Sequence, residues 1–206
     1  MKFYLSSYKL GNETDKLKEL IPLNNKTAYI SNALDFSNDL ERRVQSEKGD
    51  IEQLENIGLN VENIDLREYF GKPEELKNKL KEFGVVMIRG GNCFVLMQAL
   101  KKSGFDKILK DMNINQEDKL YIGYSAGICI LGPTLKGIHL MDKPEEKPYG
   151  VYEVNYDALG ILPEAIVPHY QSDHKESDDA TKAVEYLKKN AIPFKTLSDG
   201  EVIIIE

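Results

Sequence analysis

Leu120-Tyr121-Ile122-Gly123-Tyr124-Ser125-Ala126-Gly127 is the stretch on which the reading of this chain turns. It opens as a short apolar run of the kind that forms a buried strand, and a short helical pattern, Ser125–Leu131, follows at once. Between them lies Gly123-Tyr124-Ser125-Ala126-Gly127, the G-x-S-x-G spacing of a nucleophile elbow, a sharp strand-to-helix turn that lifts a serine Oγ out of the backbone. Small residues are required there because the turn brings strand and helix backbones close together. The helix N-terminus beneath Ser125 offers unpaired N–H groups and a favourable dipole to an oxyanion. An ordinary strand-to-helix turn uses the same small residues, so the motif needs partners elsewhere before it reads as chemistry.

Working outward, β-rich runs alternate with helical patterns. Strands are expected over Lys2–Tyr8, Thr27–Asn32, Val61–Leu66, Val85–Ile88 and Ala165–His169. Helices are expected over Asn38–Ile57, Pro73–Phe83, Asn92–Lys102 and Asp178–Asn190. Val85-Val86-Met87-Ile88 is apolar throughout, as a central parallel strand covered on both faces must be. Phe194–Leu197 and Glu201–Glu206, separated by Ser198-Asp199-Gly200, read as a closing hairpin. The alternation implies an α/β fold with a mostly parallel open sheet and helices on both faces. Such sheets bind ligands at the carboxyl ends of their strands. Both glycine-rich turns, Gly90-Gly91 and Gly123–Gly127, lie there. The length of 206 residues fits one domain, 1–206. Lys136–Gly150 is the one long loop expected.

The net charge of -7 argues against a nucleic-acid or anionic-membrane surface. No window approaches the ~20 apolar residues of a membrane span, and the N-terminus lacks a signal-peptide core. Cys93 and Cys129 are too few for a disulfide framework and lack C-x-x-C spacing, so a reducing cytoplasm is expected. His139, His169 and His174 show no metal-ligand pattern, and no metal or cofactor is expected. The sequence leaves monomer and homodimer equally open.

A serine nucleophile needs an anion hole, a base and an orienting acid. Ala126 N–H, directly after the serine, is one candidate oxyanion donor. Gly91 N–H, on the glycine turn after Val85–Arg89, is the second. Asn92 also suits a helix N-cap. His169 follows an apolar run and so sits at a strand terminus, which favours it as base over His139 and His174. Asp142, Glu145, Glu146, Glu153 and Asp157 all lie between serine and histidine. Asp142 gives the order Ser…Asp…His, but order does not choose among the five. Arg89, a cation at the end of a buried strand, either binds a substrate carboxylate or pairs with a structural acid. Cys129 and Cys93 read as packing residues.

Taken together these residues resemble dipeptidase E, the α-aspartyl dipeptidases, and their cyanophycinase relatives. The similar features are Gly90-Gly91-Asn92 after a strand, the elbow around Ser125, Pro133-Thr134, Asp142 with Pro144, Pro168-His169-Tyr170 and the terminal Asp199-Gly200. They run in order along nearly the whole chain. The resemblance implies a serine peptidase on a class I glutamine amidotransferase-like fold with flavodoxin-like layering. It implies Ser125 as nucleophile, His169 as general base, Asp142 as the acid, and Gly91 and Ala126 as oxyanion donors. Arg89 and Asn92 would border the substrate. Family members often have glycine where this chain has Arg89 and threonine where it has Cys93, two departures on the substrate side of the site.

The leading expectation is therefore a cytoplasmic serine dipeptidase acting on short peptides. A related serine hydrolase, an esterase or a β-aspartyl (cyanophycin-type) enzyme, shares the same elbow. A non-catalytic binding module on the same fold is the alternative of a different class.

Overall fold

The computed structural model describes residues 1–151 and 153–206. Six strands form one sheet: β1 (Lys2–Ser6), β2 (Lys26–Ile30), β3 (Asn60–Asn63), β4 (Val85–Ile88), β5 (Leu120–Tyr124) and the late edge strand Val202–Ile205. Two short strands, β6 (Ala165–Val167) and β7 (Phe194–Thr196), pair parallel in a second sheet, which makes the edge strand β8. The order of the large sheet is β3-β2-β4-β5-β1-β8. All neighbours in it are parallel except β8, which runs antiparallel to β1. This is the mostly parallel open sheet the strand–helix alternation predicts.

Alternate residues of the strands feed two cores. Phe3, Leu5, Ala28, Ile30, Val86, Ile88 and Tyr121 face the larger one. It is closed by α3 (Pro73–Leu80), α4 (Cys93–Ser103), α5 (Phe105–Ile114), α6 (Ala126–Cys129) and α7 (Ser177–Lys189). Tyr4, Tyr29, Val85, Met87, Leu120, Ile122 and Tyr124 face the other, under α1 (Thr14–Leu20) and α2 (Leu40–Asn56). Central strands buried on both faces are what a continuous apolar run demands. Helices α1 and α5 were not expected from the sequence. No helix of the described residues is long and apolar enough to cross a membrane.

One expectation is corrected. Phe194–Leu197 and Glu201–Glu206 do not form a hairpin. The turn is real, with Glu201 N–H donating to Ser198 O at 2.9 Å. But β7 pairs with β6, and β8 pairs with β1, in register Ser6↔Val202. The same turn thus hands the chain from one sheet to the other. The apolar run of β8 covers the open edge of β1, which a hairpin with β7 would leave bare.

The elbow is built by close backbone approach. A Cβ on Gly127 would lie 2.2 Å from the Ile88 carbonyl oxygen, backbone of the neighbouring strand. Tyr121 OH donates to Gly127 O and holds the first turn of α6 onto β5. Gly127→Ala is therefore expected to force α6 off β4 and to cost about 1–3 kcal/mol, the usual range for overpacking. Urea denaturation measures it, and a wild-type midpoint would contradict the close-packing account.

Candidate active site

The carboxyl ends of β1, β4, β5 and β6 surround one cavity of about 380 Å³. Ser125, Gly90, Gly91, Arg89, His169 and Asp142 are among the residues lining it. Ser125 stands at the junction of β5 and α6 with φ 49° and ψ -113°. A non-glycine residue in that region is strained, and such strain collects at functional sites. Its carbonyl accepts from Ile128 and Cys129 N–H at 3.0 and 3.1 Å, so the helix starts on it. The residue lines the cavity.

The glycine turn after β4 packs directly against the serine. A Cβ on Gly90 would sit 2.9 Å from Ser125 Cβ. Gly91 has φ +146°, and a Cβ there would strike Ala33 O at 2.5 Å, so both space and backbone angle require glycine. Gly91 and Ala126 N–H donate to no acceptor among the described residues. Two such donors beside a serine suit an oxyanion.

Asn92, expected as a substrate neighbour or a cap, is wholly engaged in the protein. Its Oδ1 accepts from Phe94 and Val95 N–H at 2.9 and 3.0 Å, capping α4, and its Nδ2 donates to Lys143 O at 2.8 Å. These bonds make Asn92 the N-cap of α4, the other role expected of it.

His169 follows β6, 1% exposed, with left-handed φ of 60°. Its Nδ1 lies 2.7 Å from Asp199 Oδ1. Asp199 stands just beyond β7, so paired parallel strands deliver both groups at their carboxyl ends. Ser7, just beyond β1, joins them to the large sheet: its Oγ accepts from His169 N–H at 2.9 Å and donates to Asp199 Oδ1 at 2.8 Å. Burial lowers the pKa of His169 below its ordinary value, Asp199 opposing and His174 adding to the shift. That direction favours the neutral imidazole.

Asp142, expected as the orienting acid, lines the same cavity but makes no hydrogen bond to His169. Its Oδ2 accepts from Cys93 N–H at 2.8 Å, at the first turn of α4. The residue is partly covered, but the carboxylate faces inward, and desolvation pushes its pKa up to about 6. With Asn92 to Lys143 O and Gln98 Nε2 to Glu146 O at 2.9 Å, it ties the 136–150 loop to α4 beneath the glycine turn. Glu145, Glu146, Glu153 and Asp157 are likewise absent from the hydrogen bonds of His169. Asp199 was missed because the sequence signal at 198–200 is that of a turn.

Arg89, expected either to bind a substrate carboxylate or to pair with a structural acid, is 5% exposed and lies beside a structural acid. Its Nε is 3.5 Å from Asp50 Oδ2, and its Nη2 donates to Ser46 Oγ at 2.9 Å. Asp50, on α2, also accepts from Tyr29 and Tyr124 OH at 3.0 and 2.6 Å. Among the described residues, Arg89 Nε and Nη1 have no hydrogen-bond partner. Lys9, Arg42, Arg43 and Lys175 join it around the cavity, against Asp142 and Glu176. A chain of net charge -7 has thus gathered cations at one site.

Known proteins share this architecture. An uncharacterized peptidase of Listeria monocytogenes is 35% identical over 153 residues, 74% of this chain and 70% of that protein. Peptidase E of Streptomyces coelicolor is 26% identical over 202 residues, 96% of this chain and 74% of its own. The crystal structure of a putative peptidase E protein from L. monocytogenes EGD-e, 28% identical, covers 99% of this chain and 93% of that one at a TM-score of 0.75. A peptidase from an acI-B1 Actinobacterium, 15% identical, shares the fold at a TM-score of 0.70, over 100% of this chain and 83% of that one. Residues 12–206 match the model of peptidase family S51, and the chain belongs to that family.

Proposed function

We propose that the protein is a serine exopeptidase that cleaves short peptides, dipeptides with an N-terminal aspartate first among them, through an acyl-enzyme on Ser125. The observation that carries this reading is the strained Ser125 turn opening on the same cavity as His169, whose Nδ1 is held by Asp199. Family membership supports a peptidase.

In this reading Ser125 Oγ attacks the scissile carbonyl while His169 Nε2 takes its proton. Asp199 keeps the remaining imidazole proton on Nδ1 and stabilises the imidazolium that forms. Gly91 and Ala126 N–H hold the oxyanion. The imidazolium then protonates the leaving amine, and water activated by the same histidine releases the acyl group. Apo hydrogen bonds in such sites tighten only with substrate bound.

Charge supports an anionic substrate. Arg42 makes no ion pair among the described residues, whereas Arg43 is paired with Asp35 at 2.6 Å. Arg42 is the cation left to receive a substrate carboxylate. The cavity volume lies in the range of small-ligand sites. Two free, buried cysteines fit a reducing cytoplasm.

Ser125→Ala and Asp199→Asn are each expected to lower kcat on Asp-Leu roughly 10⁴-fold, as loss of a triad member does. Asp142→Asn stays within about tenfold, or ~1.4 kcal/mol of barrier. Steady-state assays decide. A collapse in Asp142→Asn with Asp199→Asn near wild type would reverse the assignment.

Asp142 also makes a pH prediction. Its folded pKa of about 6 lies above the ordinary 3.8, so its stabilisation is present below about pH 4 and is lost as pH rises through 6. Relative to wild type, Asp142→Asn should gain melting temperature between pH 4.5 and pH 7.5. A constant difference would contradict the buried-acid account.

Arg42→Met should lower kcat/KM for Asp-Leu by about 10- to 100-fold, the loss of one charge-assisted contact, while leaving Ala-Leu little changed. Equal losses on both would remove Arg42 from specificity.

A further inference from the structure

We propose that His169, His174 and Glu176 form a binding site for a divalent transition-metal ion, zinc by preference, whose occupation switches off the base. The inhibitory consequence rests on the peptidase reading; the site itself does not.

One ligand atom from each residue lies within 4.8 Å of the other two. His169 Nε2 is 3.9 Å from Glu176 Oε2, and the His169 and His174 rings stack with centroids 3.8 Å apart. Zinc bonds of ~2.0–2.2 Å set tetrahedral ligand atoms roughly 3.3 Å apart. The three groups therefore need modest closing, not a rebuilt loop. The metal must lie in the plane of each imidazole, so His174 swings out of the stack. It is free to do so: both His174 and Glu176 are only partly buried, on the segment between β6 and α7. Among the described residues, His174 Nδ1 is held only by a 3.2 Å bond from Glu176 N–H.

The fixed ligand is already tuned for a metal. His169 gives its Nδ1 to Asp199 at 2.7 Å, which leaves the lone pair on Nε2. A carboxylate behind a ligating histidine is the arrangement that orients the ring and raises its basicity in metal sites. Glu176 and Asp199 together balance the two charges of the ion, although Lys175 Nζ stands 3.5 Å from the other Glu176 oxygen. Histidine nitrogens with one carboxylate select zinc or its transition-metal neighbours over calcium or magnesium. Nothing in the H-x-x-x-x-H-x-E spacing matches a familiar metal motif, so it is the fold that brings these ligands together.

The consequence follows from one lone pair. Nε2 is the atom that would take the Ser125 proton, and metal bound there leaves no base. Zinc thus acts as a reversible brake, lifted by chelation.

Calorimetric titration of zinc chloride into Ser125→Ala protein, stripped with EDTA and desalted, tests the site independently of turnover. One zinc per chain is expected, with binding weakened at least ~10-fold in His174→Ala and in Glu176→Gln; circular dichroism checks that each variant is folded. Cobalt(II) should give the visible absorption of a tetrahedral site, lost in the same variants. In wild-type enzyme zinc should abolish Asp-Leu hydrolysis at the concentration that fills the site, and EDTA should restore it. Zinc held by a protein without peptidase activity would keep the site and overturn the peptidase reading. No binding at millimolar zinc, or binding unchanged in both variants, would overturn the site.

Discussion

The hydroxyl of Ser7 is the point on which the site depends. It sits just beyond β1, fully buried, and it touches both groups that β6 and β7 deliver. The small sheet carries the histidine and the aspartate; the large sheet carries the serine and the glycine turn. Ser7 is a direct hydrogen-bonded link between them, and the turn into β8 ties the same corner through Ser7 N–H to Glu201 O at 3.1 Å. A buried hydrogen bond in low dielectric holds a fixed geometry, and leaving either partner unpaired is costly. The left-handed backbone of His169 persists because its N–H, its ring and its strand are all separately held.

Much of this was legible in the chain, and what was not has a common cause. The elbow is local: eight consecutive residues state the strand, the turn and the helix. The glycine turn and the capping role of Asn92 are local too. His169 could be placed because an apolar run points at it. Asp199 could not, because its pairing with His169 is set by parallel strands β6 and β7, each of three residues, that carry no periodicity. A hairpin and a hand-over between sheets have the same turn residues, so Ser198-Asp199-Gly200 reads the same either way. Asp142 fitted by chain order, but its carboxylate is spent on the start of α4.

Charge organises the remainder. Burying Arg89 is expensive unless it is paired, and Asp50 with Tyr29 and Tyr124 provides the pairing from beneath the sheet end. Neither Asp50 nor the tyrosines stand out in the sequence, where α2 reads only as a charged amphipathic helix. The cluster positions a guanidinium at the cavity with two of its nitrogens, Nε and Nη1, without a hydrogen-bond partner among the described residues.

The central claim is that Asp199 and His169 activate Ser125. It is tested most directly by the rate at which a small fluorophosphonate modifies the protein, followed by intact mass and peptide mapping. The account predicts one adduct, on Ser125, forming at similar rates in wild type and Asp142→Asn, and at least about 10²-fold slower in Asp199→Asn, where general-base help is lost. Modification that is slow in Asp142→Asn and unimpaired in Asp199→Asn, or an adduct on another residue, would contradict it.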